Sequence, residues 1–163
     1  LIEDAQLIYR SGLELCEYTD LNDTDRALVQ QADVIFFPIT TLTAPCKNLL
    51  NTGQAEIDNI VFVGPKHFGY NLNPFTRMAR EGRPQYTVRV FDDIAEANDQ
   101  NASIIPLDRY IDLIHSASED RIHVRIFNDA GGILSADRVH VTQAGAKFFA
   151  NRIRNHPSLD IFE

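Results

Sequence analysis

The sequence of 163 residues lacks the features that place a chain in a membrane or on nucleic acid. No apolar run approaches the roughly 20 residues that a membrane-spanning helix needs. No basic segment followed by an apolar core opens the chain, so no signal peptide is visible. The basic residues form no run, and 15 of them against 23 acidic residues give a net charge of −8. Nucleic acid and anionic membrane surfaces are therefore not expected as partners.

Cysteine is scarce, and the motifs of nucleotide-binding loops are missing. Cys16 and Cys46 are the two cysteines, and their spacing offers no metal-binding pair. They could form a disulfide in an oxidising compartment, but two buried thiols are the interpretation that we prefer. Neither G-x-G-x-x-G nor G-x-x-x-x-G-K-S/T occurs, so a domain that binds a nucleotide or phosphate is disfavoured. No cofactor is expected.

Near-continuous apolar runs are present instead. Residues 33–40 (DVIFFPIT), 59–65 (NIVFVGP) and 102–108 (ASIIPLD) predict strands that are covered on both faces. Residues 13–18 (LELCEY) predict a shorter strand, and residues 121–129 (RIHVRIFND) alternate as an edge strand does. With 44% hydrophobic residues, the chain has the size and composition of one domain with a core.

Helical segments alternate with these strands. Helix patterns or capping signals cover residues 1–12, 22–32, 43–57, 92–101, 109–117 and 142–156. The predicted N-caps are Asn22 or Asp23, then Asp92 and Thr142. The alternation predicts an α/β fold, a mostly parallel sheet with helices on both faces. No linker or repeat divides the chain, so residues 1–163 are taken as one domain.

Three polar segments are the candidates for a site. Residues 39–45 (ITTLTAP) and 64–71 (GPKHFGYN) follow predicted strands, and the third segment, which contains Asp137 and His140, precedes the last helix. Ligands of such sheets bind beyond the carboxyl ends of the strands. We therefore expect these segments to meet at one edge of the sheet.

Asp137 and His140 stand three positions apart, just before Thr142. A general base for hydrolysis or acyl transfer must titrate near neutrality, as histidine does. A carboxylate on the other ring nitrogen fixes the tautomer and stabilises the imidazolium. The spacing predicts a turn that folds Asp137 back onto His140. A metal site built on this pair would need a ligand that the spacing does not supply.

The segment 134–153 (LSADRVHVTQAGAKFFANRI) resembles the last motif of the SGNH (GDSL-type) hydrolase superfamily, D-x-x-H followed by Ser or Thr and a Gly-Ala helix. Residues 32–41 (ADVIFFPITT) are similar to the strand that carries the family's third block. Residues 60–71 (IVFVGPKHFGYN) and 102–114 (ASIIPLDRYIDLI) are similar to later strands of its carbohydrate O-acyltransferase-type members. The resemblance covers residues 30–153 in element order, and its specific part is the last motif.

The resemblance implies a flavodoxin-like three-layer sandwich with a Ser-His-Asp site. His140 would be the base and Asp137 the residue that orients it. The substrate would be an acyl ester, typically an O-acetyl group on a sugar or polysaccharide, and the enzyme an esterase or an O-acyltransferase. Both reactions pass through the same acyl-enzyme. Neither a metal nor another cofactor is implied, and the compartment is left open between bacterial cytoplasm and periplasm.

The family's nucleophile, the serine of a G-D-S motif, has no counterpart here. The serines are interpreted as structural or solvated: Ser11, Ser103, Ser116, Ser118, Ser135 and Ser158. In a flavodoxin-like sheet the first strand is central, and a sheet without it would expose two long edges. We therefore expect that strand and the nucleophile upstream of Leu1. The alternative function is a catalytically inactive carbohydrate-binding relative.

The family's oxyanion donor, in a G-x-N motif, is also missing. Thr40, Thr41 or a backbone N–H of the matching loop would have to serve. Lys66 and His67 are interpreted as exposed loop residues, with contact to the sugar or the oxyanion as the alternative.

Aromatic and turn-forming residues have structural interpretations as well. Phe68 and Tyr70 are interpreted as residues that anchor their loop in the core. The alternative is that their rings form a surface on which a sugar stacks. Asn128 and Asp129 are predicted to form a turn, and His123 is interpreted as a strand residue.

Overall fold

The computed structural model describes residues 15–52, 59–138 and 140–162, together with residues 6, 8 and 9. Its strands are β1 (Ile35–Pro38), β2 (Ile60–Val63), β3 (Thr87–Arg89), β4 (Tyr110–Ile111) and β5 (His123–Arg125). Its α-helices are α1 (Asp23–Gln31), α2 (Ala44–Thr52), α3 (Asp92–Ile104), α4 (Leu113–Ser116) and α5 (Gln143–Ile153). Short 3-10 helices lie at Leu15–Asp20, Asn73–Arg77, Arg80–Gly82, Leu107–Arg109 and Pro157–Phe162.

Three strands form a parallel sheet in the order β1-β2-β4. Ile35 of β1 pairs with Ile60, and Phe62 of β2 pairs with Tyr110. The strands β3 and β5 form a separate antiparallel pair. The predicted α/β fold with a parallel sheet is confirmed, whereas β3 was not predicted. None of the described helices is both long and apolar enough to cross a membrane.

The side chains of β2 enter two apolar clusters in alternation. Val61 packs in one cluster with Phe68 and the residues of α5 that face the sheet. Ile60 and Phe62 pack in the other cluster with Tyr110. Because successive side chains of a strand point to opposite faces, β2 is covered on both sides, as predicted for a parallel strand.

Strand β1, which has one neighbour among the described strands, does not have this double cover. Phe36 is 43% exposed, and Pro38 is exposed too. The prediction that residues 33–40 form a strand is confirmed for Ile35–Pro38, but the prediction that both of its faces are covered is wrong. Position in the sheet decides this burial, and an apolar run does not encode that position.

The segment predicted as the first strand instead has 3-10 helical turns over Leu15–Asp20, with a kink at Glu17. Leu15 is 1% exposed and packs in the cluster around Ile60, and its neighbour Cys16 packs there too. Two consecutive side chains on one side are incompatible with the alternation of a strand. Residues 6, 8 and 9, from the predicted first helix, are not helical; the rest of residues 1–12 lies outside the described part.

Cys16 and Cys46 form a disulfide, so the prediction of two buried thiols is wrong. The bond joins the 3-10 helix Leu15–Asp20 to the first turn of α2. Cys46 is 3% exposed, and the Thr43 hydroxyl donates to its sulfur over 3.3 Å. The disulfide therefore fixes the chain immediately after the loop that follows β1.

The third predicted strand is displaced along the chain. Helix α3 continues to Ile104, so residues 102–104 are helical, and the strand is β4, within the segment predicted to be a helix. A short apolar run is compatible with a buried strand or with the buried end of a helix. Here the helix ends before Pro106, which has no N–H with which to continue it.

Two of the predicted helix caps are confirmed. The Asn22 side chain accepts from the N–H of Asp25 at the start of α1, and the Thr142 side chain caps α5. The prediction for α3 is wrong: its N-cap is Phe91, which gives no side-chain hydrogen bond. The Asp92 carboxylate instead binds Arg89 at 2.7 Å.

The predicted edge strand, which belongs to the antiparallel pair, and the predicted turn after it are both confirmed. Asn128 Oδ1 accepts from the N–H of Ala130 and of Gly132 at 3.1 and 2.8 Å. Gly131 has a φ of +74°, which few other residues adopt. The preceding residues His123–Arg125 form β5.

Candidate functional site

The Asp137 carboxylate makes two hydrogen bonds to His140. Its Oδ1 accepts from the His140 backbone N–H at 2.7 Å, and its Oδ2 lies 2.9 Å from Nδ1. A carboxylate only accepts, so Nδ1 carries the proton and Nε2 of the neutral ring keeps its lone pair. The His140 side chain is 78% exposed and that of Asp137 is 39% exposed. The predicted hydrogen bond is thus confirmed, and Nε2 is accessible.

Main-chain contacts fix the turn that holds this pair. Ser135 donates to the carbonyl of Asp137 and, at 2.7 Å, to that of His140. Beyond the turn, the Thr142 N–H donates to the Leu134 carbonyl at 3.1 Å. Hydrogen bonds to the main chain therefore hold the segment that carries Asp137 and His140, just before α5.

Gly145 explains the small residues at the start of α5. A Cβ added there would lie 1.9 Å from the Leu134 carbonyl oxygen. The N–H of Gly145 donates to the Thr142 hydroxyl at 3.0 Å. The Ala-Gly-Ala run therefore lets α5 approach the segment that leads into the Asp137 turn.

The described serine hydroxyls all have other partners. Ser135 is 4% exposed and donates to the main chain as given above. Ser103 lies within α3 rather than in a strand, and it donates to Gln100, while Ser116 donates to Asp112. Ser118 binds Asp120, and Ser158 binds His156. Ser11 lies outside the described residues, so the structural interpretation is supported for the other five.

The loop after β1 carries Thr40 and Thr41, both exposed. Asn101 of α3, which is fully buried, binds this loop with both atoms of its amide. Its Nδ2 donates to the Thr40 carbonyl at 3.0 Å, and its Oδ1 accepts from the Leu42 N–H at 2.9 Å. The loop is thus held in place by its main chain, which leaves both threonine hydroxyls at the surface.

Sequence reasoning missed Asn101, although the signal is visible. Ile94, Asn98, Asn101 and Ile105 follow one another at the spacing of a single helix face, and all four are buried. An amide between isoleucines on the buried face of a helix must find partners. This pattern, rather than a catalytic motif, identifies the residue that positions the loop.

Asn98 supports the neighbouring strand in a similar way. Its Oδ1 accepts from the Tyr110 hydroxyl at 2.7 Å, and its Nδ2 donates to Asp112 at 2.9 Å. Burial raises the pKa of the Tyr110 hydroxyl. A Cβ at Gly64 would lie 2.4 Å from this hydroxyl oxygen, so Gly64 allows β2 to run close beside it.

Lys66 and His67, in the loop after β2, are both half-buried, so their interpretation as exposed loop residues is wrong. The Nδ1 atom of His67 is inaccessible to solvent and has no hydrogen-bond partner among the described residues. Partial burial lowers the pKa of His67, as do the positive charges of Lys66 and Arg138, whereas Asp93 raises it. Arg138 belongs to the Asp137 turn. The predicted meeting of the three polar segments at one edge of the sheet stays a prediction.

The two aromatic residues of this loop anchor it. Phe68 is 1% exposed in the core, and its carbonyl accepts from the Phe91 N–H at 3.1 Å. The Tyr70 ring packs edge-on against Phe91 with centroids 4.5 Å apart. Gly69 between them has a φ of +96° and lies directly against the Phe91 ring. The interpretation as loop anchors is supported over a stacking wall.

A second Asp-His pair of the same construction lies at residues 120–124. The pentapeptide DRIHV there matches DRVHV at residues 137–141. Asp120 Oδ1 accepts from the His123 N–H at 2.6 Å, and Oδ2 lies 2.7 Å from Nδ1. These hydrogen bonds lower the pKa of the Asp120 carboxyl. The interpretation of His123 as a strand residue holds, but its carboxylate partner was missed.

Because the same hydrogen bonds occur at two places in the chain, they do not by themselves identify a catalytic pair. An aspartate commonly accepts from backbone N–H groups a few residues on, in a local turn. Asp-Arg-x-His-Val forms this arrangement twice in one chain, in two different settings. The second pair lines an open cleft of 540 Å³ together with Glu119, Arg125 and Asp129. The surroundings of a pair, rather than its internal geometry, must therefore decide its function.

Among the described residues, no group of three His, Cys, Asp or Glu side chains could hold a metal ion. No protein-family model matches the chain. Searches of curated proteins and of solved structures likewise return no significant match.

Proposed function

We propose that this protein is a serine-type acyl-ester hydrolase or O-acyltransferase that acts on acylated carbohydrate. His140 is its general base, and Asp137 orients the imidazole. The observation that carries the proposal is the setting of the Asp137–His140 pair: the exposed, carboxylate-bound imidazole lies in the turn directly before α5, whereas the Asp120–His123 pair, with the same hydrogen bonds, leads into β5. The resemblance of residues 134–153 to the last SGNH motif supplies the reaction class and the sugar ester.

The proposed fold is the flavodoxin-like three-layer sandwich. The parallel order β1-β2-β4 and the apolar clusters on both faces of β2 support it. In that arrangement a further strand pairs with β1, and the turn after it carries the nucleophile. Under this proposal the serine lies upstream of Leu1, in the family's G-D-S motif.

The reaction follows the chemistry of a serine, a histidine and an aspartate. Nε2 of His140 takes the proton of the serine hydroxyl as its oxygen attacks the acyl carbon. The imidazolium returns that proton to the sugar oxygen as the ester bond breaks. Water or an acceptor hydroxyl, deprotonated in turn by Nε2, then attacks the acyl carbon, and the bond to the serine oxygen breaks as that oxygen takes the proton back from the imidazolium. Thr40, Thr41 or a backbone N–H of their loop would donate to the oxyanion, and Asn101 holds that loop in place.

The test uses the full-length gene product with p-nitrophenyl acetate and with an acetylated sugar. His140→Ala should lower kcat/KM at least about 100-fold, since it removes the general base. Asp137→Asn should lower it at least about tenfold, because the tautomer is released. The matched controls are His123→Ala and Asp120→Asn, which alter the second pentapeptide and should leave kcat/KM unchanged. Equal losses in both pairs, or activity that survives His140→Ala, would contradict the proposal.

A catalytically inactive carbohydrate-binding relative is the second candidate. The observation in its favour is that every described serine hydroxyl has another partner. If this candidate is correct, the full-length protein binds acetylated oligosaccharide without turnover, and its gene encodes no G-D-S motif before Leu1. Turnover that requires His140 excludes it.

A further inference from the structure

The two cysteines of the disulfide differ in exposure. Cys46 is buried, with 3% of its surface exposed, whereas Cys16 is partly exposed. A disulfide is cleaved when a thiolate attacks one of its sulfur atoms, and the other sulfur then leaves as a thiolate. A reductant that meets the folded protein therefore attacks Cys16, and Cys46 is the sulfur that leaves.

The surroundings of Cys46 stabilise a thiolate. Cys46 is the third residue of α2, whose first turn contains no acidic residue. The free N–H groups and the partial positive charge of a helix N-terminus favour an anionic sulfur there. The Thr43 hydroxyl also donates to Sγ of Cys46 at 3.3 Å. A hydrogen bond to an ionised acceptor is about twice as strong as one to a neutral acceptor, so this contact strengthens as Cys46 leaves.

The elements that the disulfide joins are also held by other contacts. Leu15, in the 3-10 helix, packs in one apolar cluster with Leu42 of the loop after β1 and with Leu49 of α2. The Asn101 amide binds the main chain of the same loop. Reduction therefore removes one restraint on the chain between β1 and α2, while the apolar packing stays in place.

We propose that the Cys16–Cys46 disulfide is a thiol–disulfide exchange site, attacked at Cys16 by a dithiol reductant, and that its reduction reversibly loosens the loop after β1. The attacking sulfur bonds to Cys16 as the Cys16–Cys46 bond breaks, and the electron pair of that bond stays with Cys46. The second thiol of the reductant, once deprotonated, attacks the mixed disulfide and releases Cys16 as a thiolate. Two electrons thus pass to the protein, the dithiol becomes a disulfide, and oxidised glutathione reverses the exchange.

A trapping experiment on the full-length protein, without denaturant, identifies the sulfur that is attacked. The protein is exposed briefly to 2-mercaptoethanol, quenched with N-ethylmaleimide and mapped by peptide mass spectrometry. The mercaptoethanol adduct should lie on Cys16 and the maleimide on Cys46. Adducts that lie mainly on Cys46, or equally on both cysteines, would overturn the proposal.

The dependence on urea shows whether the folded protein is the species that reacts. With dithiothreitol at urea concentrations below the unfolding transition, the rate of reduction should stay nearly constant, because no buried surface has to be exposed first. A rate that rises steeply with urea would show that the bond reacts only after unfolding, and the proposal would then be wrong.

Variants of Thr43 test the stabilisation of the leaving sulfur. Thr43→Val should slow reduction by dithiothreitol about 3- to 10-fold, because the thiolate loses a hydrogen bond. Thr43→Ser keeps a hydroxyl and should restore the original rate. The matched control is Thr87→Val, at an exposed threonine of β3, which should leave the rate unchanged. Reduction of Thr43→Val at the original rate, or of Thr43→Ser as slowly as Thr43→Val, contradicts the assigned role of Cys46.

Amide exchange at Leu42 reports the effect on the loop. Exchange should be at least about threefold faster in the reduced protein, and it should return to the original rate after treatment with oxidised glutathione. An unchanged rate on reduction would show that the disulfide does not restrain the loop. These measurements require neither a substrate nor His140, so their outcome is independent of the proposed function.

Discussion

The His67 imidazole combines partial burial with two nearby cations, and both effects oppose its protonation. Its pKa in the folded protein is therefore lower than the ordinary value of 6.5. Between these two pKa values the unfolded chain binds a proton that the folded protein does not. The contribution of His67 to stability is thus fully present above pH 6.5 and is lost as the pH falls through this window.

We expect His67→Gln to reduce the loss of stability on acidification below pH 6.5. Urea unfolding of the original protein and the variant, at a series of pH values, measures this difference. His115→Gln, at an exposed histidine at the end of α4, is the control. An unchanged pH profile for His67→Gln would show that the lowered pKa is not a property of the folded protein.

At the scale of elements, α3 fixes the loop after β1 through a single amide. Asn101 is fully buried and satisfies the Thr40 carbonyl and the Leu42 N–H together. Removing the amide leaves the buried Leu42 N–H and the partly buried Thr40 carbonyl without this partner. Each unsatisfied buried group costs about 1–3 kcal/mol.

We expect Asn101→Ala to lower the free energy of unfolding by about 2–4 kcal/mol. The control is Gln100→Ala, which alters an exposed residue of the same helix and should change it by less than about 0.5 kcal/mol. Urea denaturation measures both. Amide exchange at Leu42 should also become faster in Asn101→Ala, and an unchanged rate would mean that the loop is held by other contacts.

At the scale of the whole molecule, the Cys16–Cys46 disulfide closes a loop with a sequence separation of 30 residues. It joins the 3-10 helix before α1 to α2, and both pack around the same apolar cluster as β2. A crosslink of this length restricts the unfolded chain and stabilises the folded state by about 3 kcal/mol.

Reduction of this bond should therefore lower the free energy of unfolding by about 2–4 kcal/mol. Guanidinium unfolding with and without dithiothreitol tests the expectation. The variant with Cys16→Ala and Cys46→Ala should match the reduced protein and be insensitive to the reductant. If dithiothreitol changes the original protein and this variant equally, its effect does not come from the disulfide.

The sequence predicted the elements whose signals are local, and it failed where distant contacts decide. The caps Asn22 and Thr142 and the Asp137–His140 hydrogen bonds depend on residues a few positions apart, and they are confirmed. The 3-10 helix at Leu15 depends on a partner in α2 that no local pattern reveals.

The displaced third strand has a different cause. Two neighbouring segments, residues 102–108 and Tyr110–Ile111, are apolar enough to form a strand. In the folded protein the strand is Tyr110–Ile111, because tertiary packing rather than local sequence decides between them. Likewise, the role of Asn101 follows from which loop lies over α3, and the sequence does not give that neighbour.

The repeated pentapeptide has a practical consequence for spectroscopy. His123 and His140 lie in the same short sequence and make the same two bonds to their aspartates. A difference between the two rings in Nδ1–H chemical shift or in hydrogen exchange then reports mainly their surroundings, beside the difference between the Nδ1–Oδ2 distances of 2.7 and 2.9 Å. One spectrum of the unaltered protein therefore contains both the measurement and its internal reference, without a model peptide.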